Sequence, residues 1–193
     1  MSDAWEPSCS LEALEARAEL LTEIRSFFRD RQVLEVQTAL IAEHTVTDLH
    51  IDSLALTGGS FLQTSPEYQL KRLLAAGAPS LYQLAPVFRA GEQGRLHNPE
   101  FTLLEWYRLG FDDEALRVEV AALVDQVLGP APYQTISYAE LLQGTGATPD
   151  RSGSETDPDA LDLAFAEATA ALRGRWFITR YPAAQAALAR LCA

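Results

Sequence analysis

The segment LYQLAPVFRAGEQGRLHNPEFTLLEWYRL, from Leu81 to Leu109, decides how the chain is read. Two apolar runs, near 81–90 and 100–108, flank a polar stretch, Gly91 to Pro99, that carries two glycines. The pattern predicts two strands joined by a loop. Side chains alternate between the faces of a strand. One face of the first run therefore holds Leu81, Gln83, Ala85, Val87 and Arg89, and one face of the second holds Phe101, Leu103, Glu105 and Tyr107. If both faces look into one cleft, it contains a guanidinium, an aromatic plate, a carboxylate and a phenol. The ring can stack on a base, the guanidinium can hold a phosphate in a fork, and the carboxylate and phenol can bind an ammonium group. The loop adds His97 and Asn98, both able to reach a phosphate or a base edge.

Outward from this pair, Thr64-Ser65-Pro66-Glu67 sets a hydroxyl and a carboxylate at the start of a helix predicted over Glu67 to about Ala76 and ended by Gly77. Leu11, Leu14, Ala18, Leu21, Ile24 and Phe28 recur at helical spacing, which predicts an amphipathic helix over 11–30 capped by Ser10. Val33 to Val36 reads as a short strand, and residues 45–63 as mixed strand and turn with Gly58-Gly59 at a hairpin tip. A further helix is expected from Asp112 to Leu128, stopped by Gly129-Pro130, and Ser137 with Glu140 forms a capping box. Residues 144–158 read as a flexible loop or linker, 159–172 as a helix, Trp176 to Thr179 as a strand and Ala183 to Leu191 as an apolar run. There is no internal repeat.

The chain has 193 residues, 48% of them hydrophobic, which excludes a disordered protein and allows one sizeable core. Lys plus Arg is 15 against 27 Asp plus Glu, so the net charge of -12 disfavours a protein that grips nucleic acid through its phosphates. Lys71 is the sole lysine, so nearly all positive charge is arginine, whose fixed fork suits carboxylate and phosphate. Cys9 and Cys192 cannot make a zinc site alone and read as free thiols. His44 and His50 lack a ligand pattern and read as structural, so no metal site is expected from side chains alone. No stretch reaches the roughly 20 apolar residues of a membrane span, and the polar N-terminus is not a signal peptide, so a cytoplasmic, soluble protein is expected.

Phe88-Arg89 followed by Gly94-Arg95-Leu96-His97-Asn98-Pro99-Glu100-Phe101-Thr102-Leu103-Leu104-Glu105-Trp106-Tyr107 resembles motif 2 of the class II aminoacyl-tRNA synthetases. The likeness is to the lysyl branch, and within it to the stand-alone paralogues that ligate lysine to elongation factor P. Thr45-Val46-Thr47-Asp48, Thr64-Ser65-Pro66-Glu67-Tyr68 and Tyr181-Pro182-Ala183-Ala184-Gln185-Ala186 resemble the same group, and RQVLEVQTAL, Arg31 to Leu40, resembles the motif 1 dimer segment. The resemblance covers most of 11–145 and returns at 176–191.

The resemblance implies an α+β class II synthetase catalytic core, an antiparallel sheet flanked by helices, as one domain over 1–193 that holds motifs 1 and 2. It implies activation of (R)-β-lysine or lysine by ATP, with Mg2+ on the phosphates, and transfer of the acyl group to a lysine of elongation factor P. By similarity, Arg89 is the catalytic residue and binds the α-phosphate, with Gly91, Glu92, His97 and Asn98 at the ATP and Phe101 stacked on adenine. Ser65, Pro66 and Glu67 line the amino-acid site, and Glu105 and Tyr107 read the amines. A homodimer is implied by motif 1. Lysyl-tRNA synthetases carry an N-terminal OB-fold domain that reads the anticodon, whereas motif 1 here begins almost at the N-terminus and leaves no room for one, so the expectation is a protein acceptor rather than tRNA.

Three departures stand out. Motif 2 reads Arg-x-Glu in the family, whereas here Gly91 stands third and Glu92 follows. Ala39 stands where motif 1 has a proline. Motif 3 is missing, and the chain is expected to be truncated before it. Two alternatives therefore stay open: lysyl-tRNA synthetase-type aminoacylation, and a non-catalytic synthetase-like binding module. Tyr107 is read as a site residue and Trp106 as core, while His97 reads equally as a solvated loop residue.

Overall fold

The computed structural model describes residues 7–48, 50–143, 145 and 158–185. The Ser10 side chain accepts a hydrogen bond from the Ala13 amide at 3.2 Å and so starts helix α1, Leu11–Asp30. Then follow β1 (Leu34–Glu35), β2 (Ile41–Ala42), β3 (Phe61–Leu62), α2 (Glu67–Ala75), β4 (Leu81–Phe88), β5 (Glu100–Tyr107) and α3 (Asp113–Leu128). Beyond these lie β6 (Tyr133–Ser137), α4 (Tyr138–Leu141), α5 (Pro158–Ala171), β7 (Arg175–Thr179) and a 3-10 turn, Ala183–Gln185. The chain forms two compact units, divided between Val127 and Leu128.

The first unit is built on a three-stranded sheet in the order β1-β4-β5. β4 and β5 pair antiparallel along their whole length, from Leu81 opposite Tyr107 to Phe88 opposite Glu100. β1 runs parallel to β4, pairing Leu34 with Leu81 and Glu35 with Tyr82. A parallel neighbour needs a long crossover, and the connection that contains α2 supplies it. β1 covers only the first two residues of β4, which explains how Pro86 fits. The Phe88 amide points away from β5 to the Gln63 carbonyl, and Pro86 has the same parity, so its missing donor falls beyond the end of β1. β2 and β3 form a separate antiparallel pair. The predicted tip at Gly58-Gly59 is a turn with both glycines at positive φ, +107° and +87°.

The even-numbered face of β4 and β5 is the core face. Phe28, fully buried, stacks on Tyr82 at 4.4 Å between ring centroids and tilts against Trp106 at 5.6 Å. Ile24, Phe27, Val33 and Leu123 complete the cluster. The predicted stripe of α1 is thus buried only in its last turns: Ile24 and Phe28 are inside, while Leu11 and Leu14 are 77% and 48% exposed.

In the second unit β6 and β7 pair in parallel, from Tyr133 opposite Arg175 to Ser137 opposite Thr179. The sequence reading missed β6 and saw only the capping box that follows it. That box is complete: the Ser137 hydroxyl accepts from the Glu140 amide, and the Glu140 carboxylate accepts from the Ser137 amide. Tyr138 stacks on Phe165 at 5.0 Å, with Leu142, Leu161 and Ala164 around them. The α+β architecture is as expected. The antiparallel expectation describes β4–β5 and β2–β3, whereas β1–β4 and β6–β7 are parallel. Among the described residues no helix is long and apolar enough to cross a membrane. Cys9 is an exposed free thiol. Cys192, most of the predicted loop 144–158 and the apolar run beyond residue 185 lie outside the described residues.

Two outcomes follow from the core. Phe28→Ala removes the ring shared by Tyr82 and Trp106 and is expected to cost about 3–5 kcal/mol, read by urea unfolding followed by tryptophan fluorescence. The Tyr82 phenol is pushed up to about 12, first by burial and then by its hydrogen bond to Glu35. Its folded pKa thus exceeds the roughly 10 of a free tyrosine, so its share of stability is full below pH 10 and falls as pH rises towards 12. Tyr82→Phe is expected to flatten that part of the alkaline unfolding profile.

Candidate functional site

The β4–β5 register builds the site. Cross-strand partners share a face, and Gln83 faces Glu105, Leu81 faces Tyr107 and Val87 faces Phe101. The two odd-numbered faces inferred from the alternation are therefore one surface, opposite the aromatic core. Arg89, just beyond β4, donates its backbone amide to the Pro99 carbonyl and so extends the hairpin. Its guanidinium carbon lies 5.0 Å from the Phe101 ring centroid, within cation–π range. Its Nε donates to the Thr64 carbonyl at 3.4 Å. An arginine leaving an apolar strand needs such partners, and here they leave the rest of the fork available to a phosphate.

The loop brings Glu92 back to this arginine. Glu92 Oε1 is 3.8 Å from Arg89 Nη1, and Oε2 is 3.9 Å from His97 Nε2. Gly91, at φ +78°, makes the reversal that allows it, in a backbone region costly for other residues. The third-position carboxylate lost at Gly91 thus has a neighbour one residue on that faces the same guanidinium. The loop closes between Gly94 and His97, whose backbones exchange hydrogen bonds. The His97 and Asn98 side chains are exposed on it.

At the other end of β5, Glu105 accepts two short hydrogen bonds. Ser65 Oγ donates to Oε2 at 2.6 Å, and Tyr107 OH donates to Oε1 at 2.7 Å. Tyr107 is held protonated well above the ordinary tyrosine range, first by burial and then by Glu105, so it acts as a donor. Ser65 Oγ also accepts from the Glu67 amide at 3.1 Å, which ties the start of α2 to β5. Glu67 pairs with Lys71 one turn on, at 2.6 Å. Glu105 differs: it is partly buried, hydrogen-bonded by two neutral hydroxyls, and makes no ion pair among the described residues. A partly buried carboxylate with no cation beside it suits an ammonium ligand. Pro66 is buried beneath this corner.

The segments Thr45–Asp48 and Thr64–Tyr68, matched separately in the sequence, meet here. The Tyr68 hydroxyl binds the Thr47 hydroxyl at 2.7 Å and accepts from its amide at 3.2 Å. Two supporting groups were not read from sequence as such. Buried Gln83 accepts through Oε1 from the Thr38 amide and hydroxyl, which pins the chain after β1 to the site sheet. Buried Glu119 holds β5 from behind, as detailed below. A hollow of about 580 Å³ against Arg25, Arg29 and Tyr82 contains none of the residues read as a site.

The family model for class II tRNA synthetases (D, K and N) matches residues 7–190. The chain is 41% identical to the elongation factor P--(R)-beta-lysine ligase of Erwinia tasmaniensis, covering 99% of this chain and 69% of that protein. It is 39% identical to the ligase of the same name from Vibrio cholerae, covering 97% and 68%. It is 47% identical to that of Pasteurella multocida, where the match takes in 72% of this chain and 46% of that protein. A family match through nearly the whole chain, with relatives of this identity, means that the chain belongs to the class II tRNA synthetases of the D, K and N type, among the relatives named elongation factor P--(R)-beta-lysine ligase.

Proposed function

We propose that this chain supplies the nucleotide and amine sides of the active site of an ATP-dependent ligase that activates (R)-β-lysine, or lysine, and passes it to a lysine side chain of elongation factor P. The observation that carries the amine reading is Glu105, hydrogen-bonded by Ser65 and Tyr107 yet without a cation of its own. An ammonium group of a diamino acid completes it. Glu67, at the other side of Ser65, is the second carboxylate for the second amine, in exchange with Lys71. The names of the relatives support both the amino acid and the acceptor.

ATP belongs on the Arg89 side, with adenine over Phe101 and the α-phosphate on the guanidinium. In the first step a carboxylate oxygen of the amino acid attacks the α-phosphorus, the α–β anhydride bond breaks, and pyrophosphate leaves. Arg89 stabilises the charge that grows on the α-phosphate. In the second step the acceptor amine attacks the acyl carbon, an amide forms, and AMP and a proton leave. Glu92, His97 and Asn98 face the nucleotide from the loop, and Gly91 lets Glu92 do so. Among the described residues no group of three or more His, Cys, Asp or Glu gathers to hold a metal. Mg2+, which the resemblance implies, would sit on the phosphates of ATP and supply charge neutralisation there. The protein's part is positioning and electrostatics.

The family match runs through both compact units, which supports counting them as one catalytic domain. The net charge of -12 supports a protein acceptor over tRNA. The motif 1 segment supports a homodimer, and the exposed Cys9 thiol suits a reducing, cytoplasmic setting.

Exchange of labelled pyrophosphate into ATP, driven by (R)-β-lysine or lysine, tests the reading. Absence of exchange in the wild-type protein and in a longer chain that continues past Ala193 would favour the non-catalytic module instead. Arg89→Ala is expected to lower exchange by about 10²–10³-fold. Near-normal exchange in that variant removes Arg89 from its role. Glu105→Gln is expected to raise the KM for the amino acid by about 10–100-fold, the worth of a charged hydrogen bond, while leaving the KM for ATP unchanged. An equal rise for both substrates contradicts the amine assignment.

A further inference from the structure

We infer that Glu119, on the side of the sheet away from the site, is a positioning residue that sets where Glu105 and Tyr107 stand, and through them the amine end of the pocket. The inference rests on the amine reading above and names a residue outside the site. Glu119 is the one charged residue classed as buried among those described, with 5% of its side chain exposed. It lies on α3, four residues before the buried Leu123.

Its contacts converge on one place. Trp106 Nε1 donates to Glu119 Oε2 at 3.1 Å, and Arg108 Nε lies 3.2 Å from Oε1. Arg31 Nε stands 4.0 Å from the same oxygen, and Arg108 also donates to the Arg31 carbonyl at 3.4 Å. Both guanidiniums are themselves held over rings, Arg31 on Phe27 at 3.5 Å and Arg108 on Phe111 at 4.6 Å. Trp106 and Arg108 are the immediate neighbours of Tyr107. One buried carboxylate therefore grips the residues before and after the phenol that donates to Glu105.

Elsewhere that face of β5 is held by apolar packing, which resists separation but not small slides or twists, and at the nucleotide end by Arg17 Nη2, which donates to Thr102 Oγ1 at 2.6 Å. The hydrogen bond from Trp106 to Glu119 is directional. Trp106 and Arg108 stand at the C-terminal end of β5, whereas Phe101 is six residues from Tyr107, about 20 Å along the strand. Loss of Glu119 should release the amine end and leave the nucleotide end in place. Removing it also leaves two guanidiniums without their buried carboxylate, so the release is local and strong.

The test uses the 193-residue protein and Glu119→Gln, which keeps the shape and removes the charge. The Tyr107 ring resonances, assigned with Tyr107→Phe in carbon-labelled tyrosine spectra, are expected to shift or broaden. The dissociation constant for lysine is expected to rise at least tenfold, and that for ATP to stay within twofold. Unmoved Tyr107 resonances, or equal weakening of both ligands, overturn the inference. Should the wild-type protein bind no lysine, the amine reading fails, and the Tyr107 resonances alone decide whether Glu119 positions that residue. If Glu119→Gln does not fold, Trp106→Phe removes one of the three grips while keeping a ring in the core, and it is held to the same outcomes.

Discussion

The pairing of β4 with β5 is the constraint on which the rest of the structure depends. With a side-chain period of two, one register sends Tyr82, Leu84, Leu104 and Trp106 to the core and Gln83, Val87, Phe101, Glu105 and Tyr107 to the other face. A slip of one residue would bury Glu105 and Tyr107 among phenylalanines and expose Trp106. The register is secured from both sides. The stack of Phe28 on Tyr82 and the Glu119 grip on Trp106 make the core face costly to move. On the other face, the Ser65–Glu105–Tyr107 hydrogen bonds complete a polar set only in this alignment.

From this pairing the division of the site follows. Arg89 and Phe101 lie at the loop end of the hairpin, and Glu105 and Tyr107 at the other. Positive charge thus stands at one end and negative charge at the other, a strand's length apart. On the reading proposed above, ATP takes the first end and the amino acid the second, and their reactive groups meet between. The names of the relatives support that reading.

The loop and the back of the sheet show how local departures are absorbed. Glu92, one residue past the carboxylate absent at Gly91, reaches within 3.8 Å of Arg89 where a glycine with positive φ turns the chain back. Ser65 spends its proton on Glu105 and accepts the Glu67 backbone amide, so it ties β5 to the start of α2. These contacts depend on distances between segments remote in sequence.

The sequence by itself determined the elements near the hairpin, the caps and the face assignments. Period-two alternation and Ser10 or Ser137 capping are local properties, set by backbone geometry within a few residues. It also placed Trp106 in the core and Tyr107 on the opposite face, as the register bears out. Tertiary structure alone decided that β1 and β7 run parallel to their partners, that only the last turns of α1 are buried, and that β6 is a strand. It alone brought Thr47 to Tyr68, Thr38 to Gln83, and Arg31, Trp106 and Arg108 to Glu119. A glutamate on a helix reads from sequence as a solvated face, and only the elements packed around it show that it is buried and paired. Such contacts join residues far apart along the chain, and no local pattern encodes the distance between them.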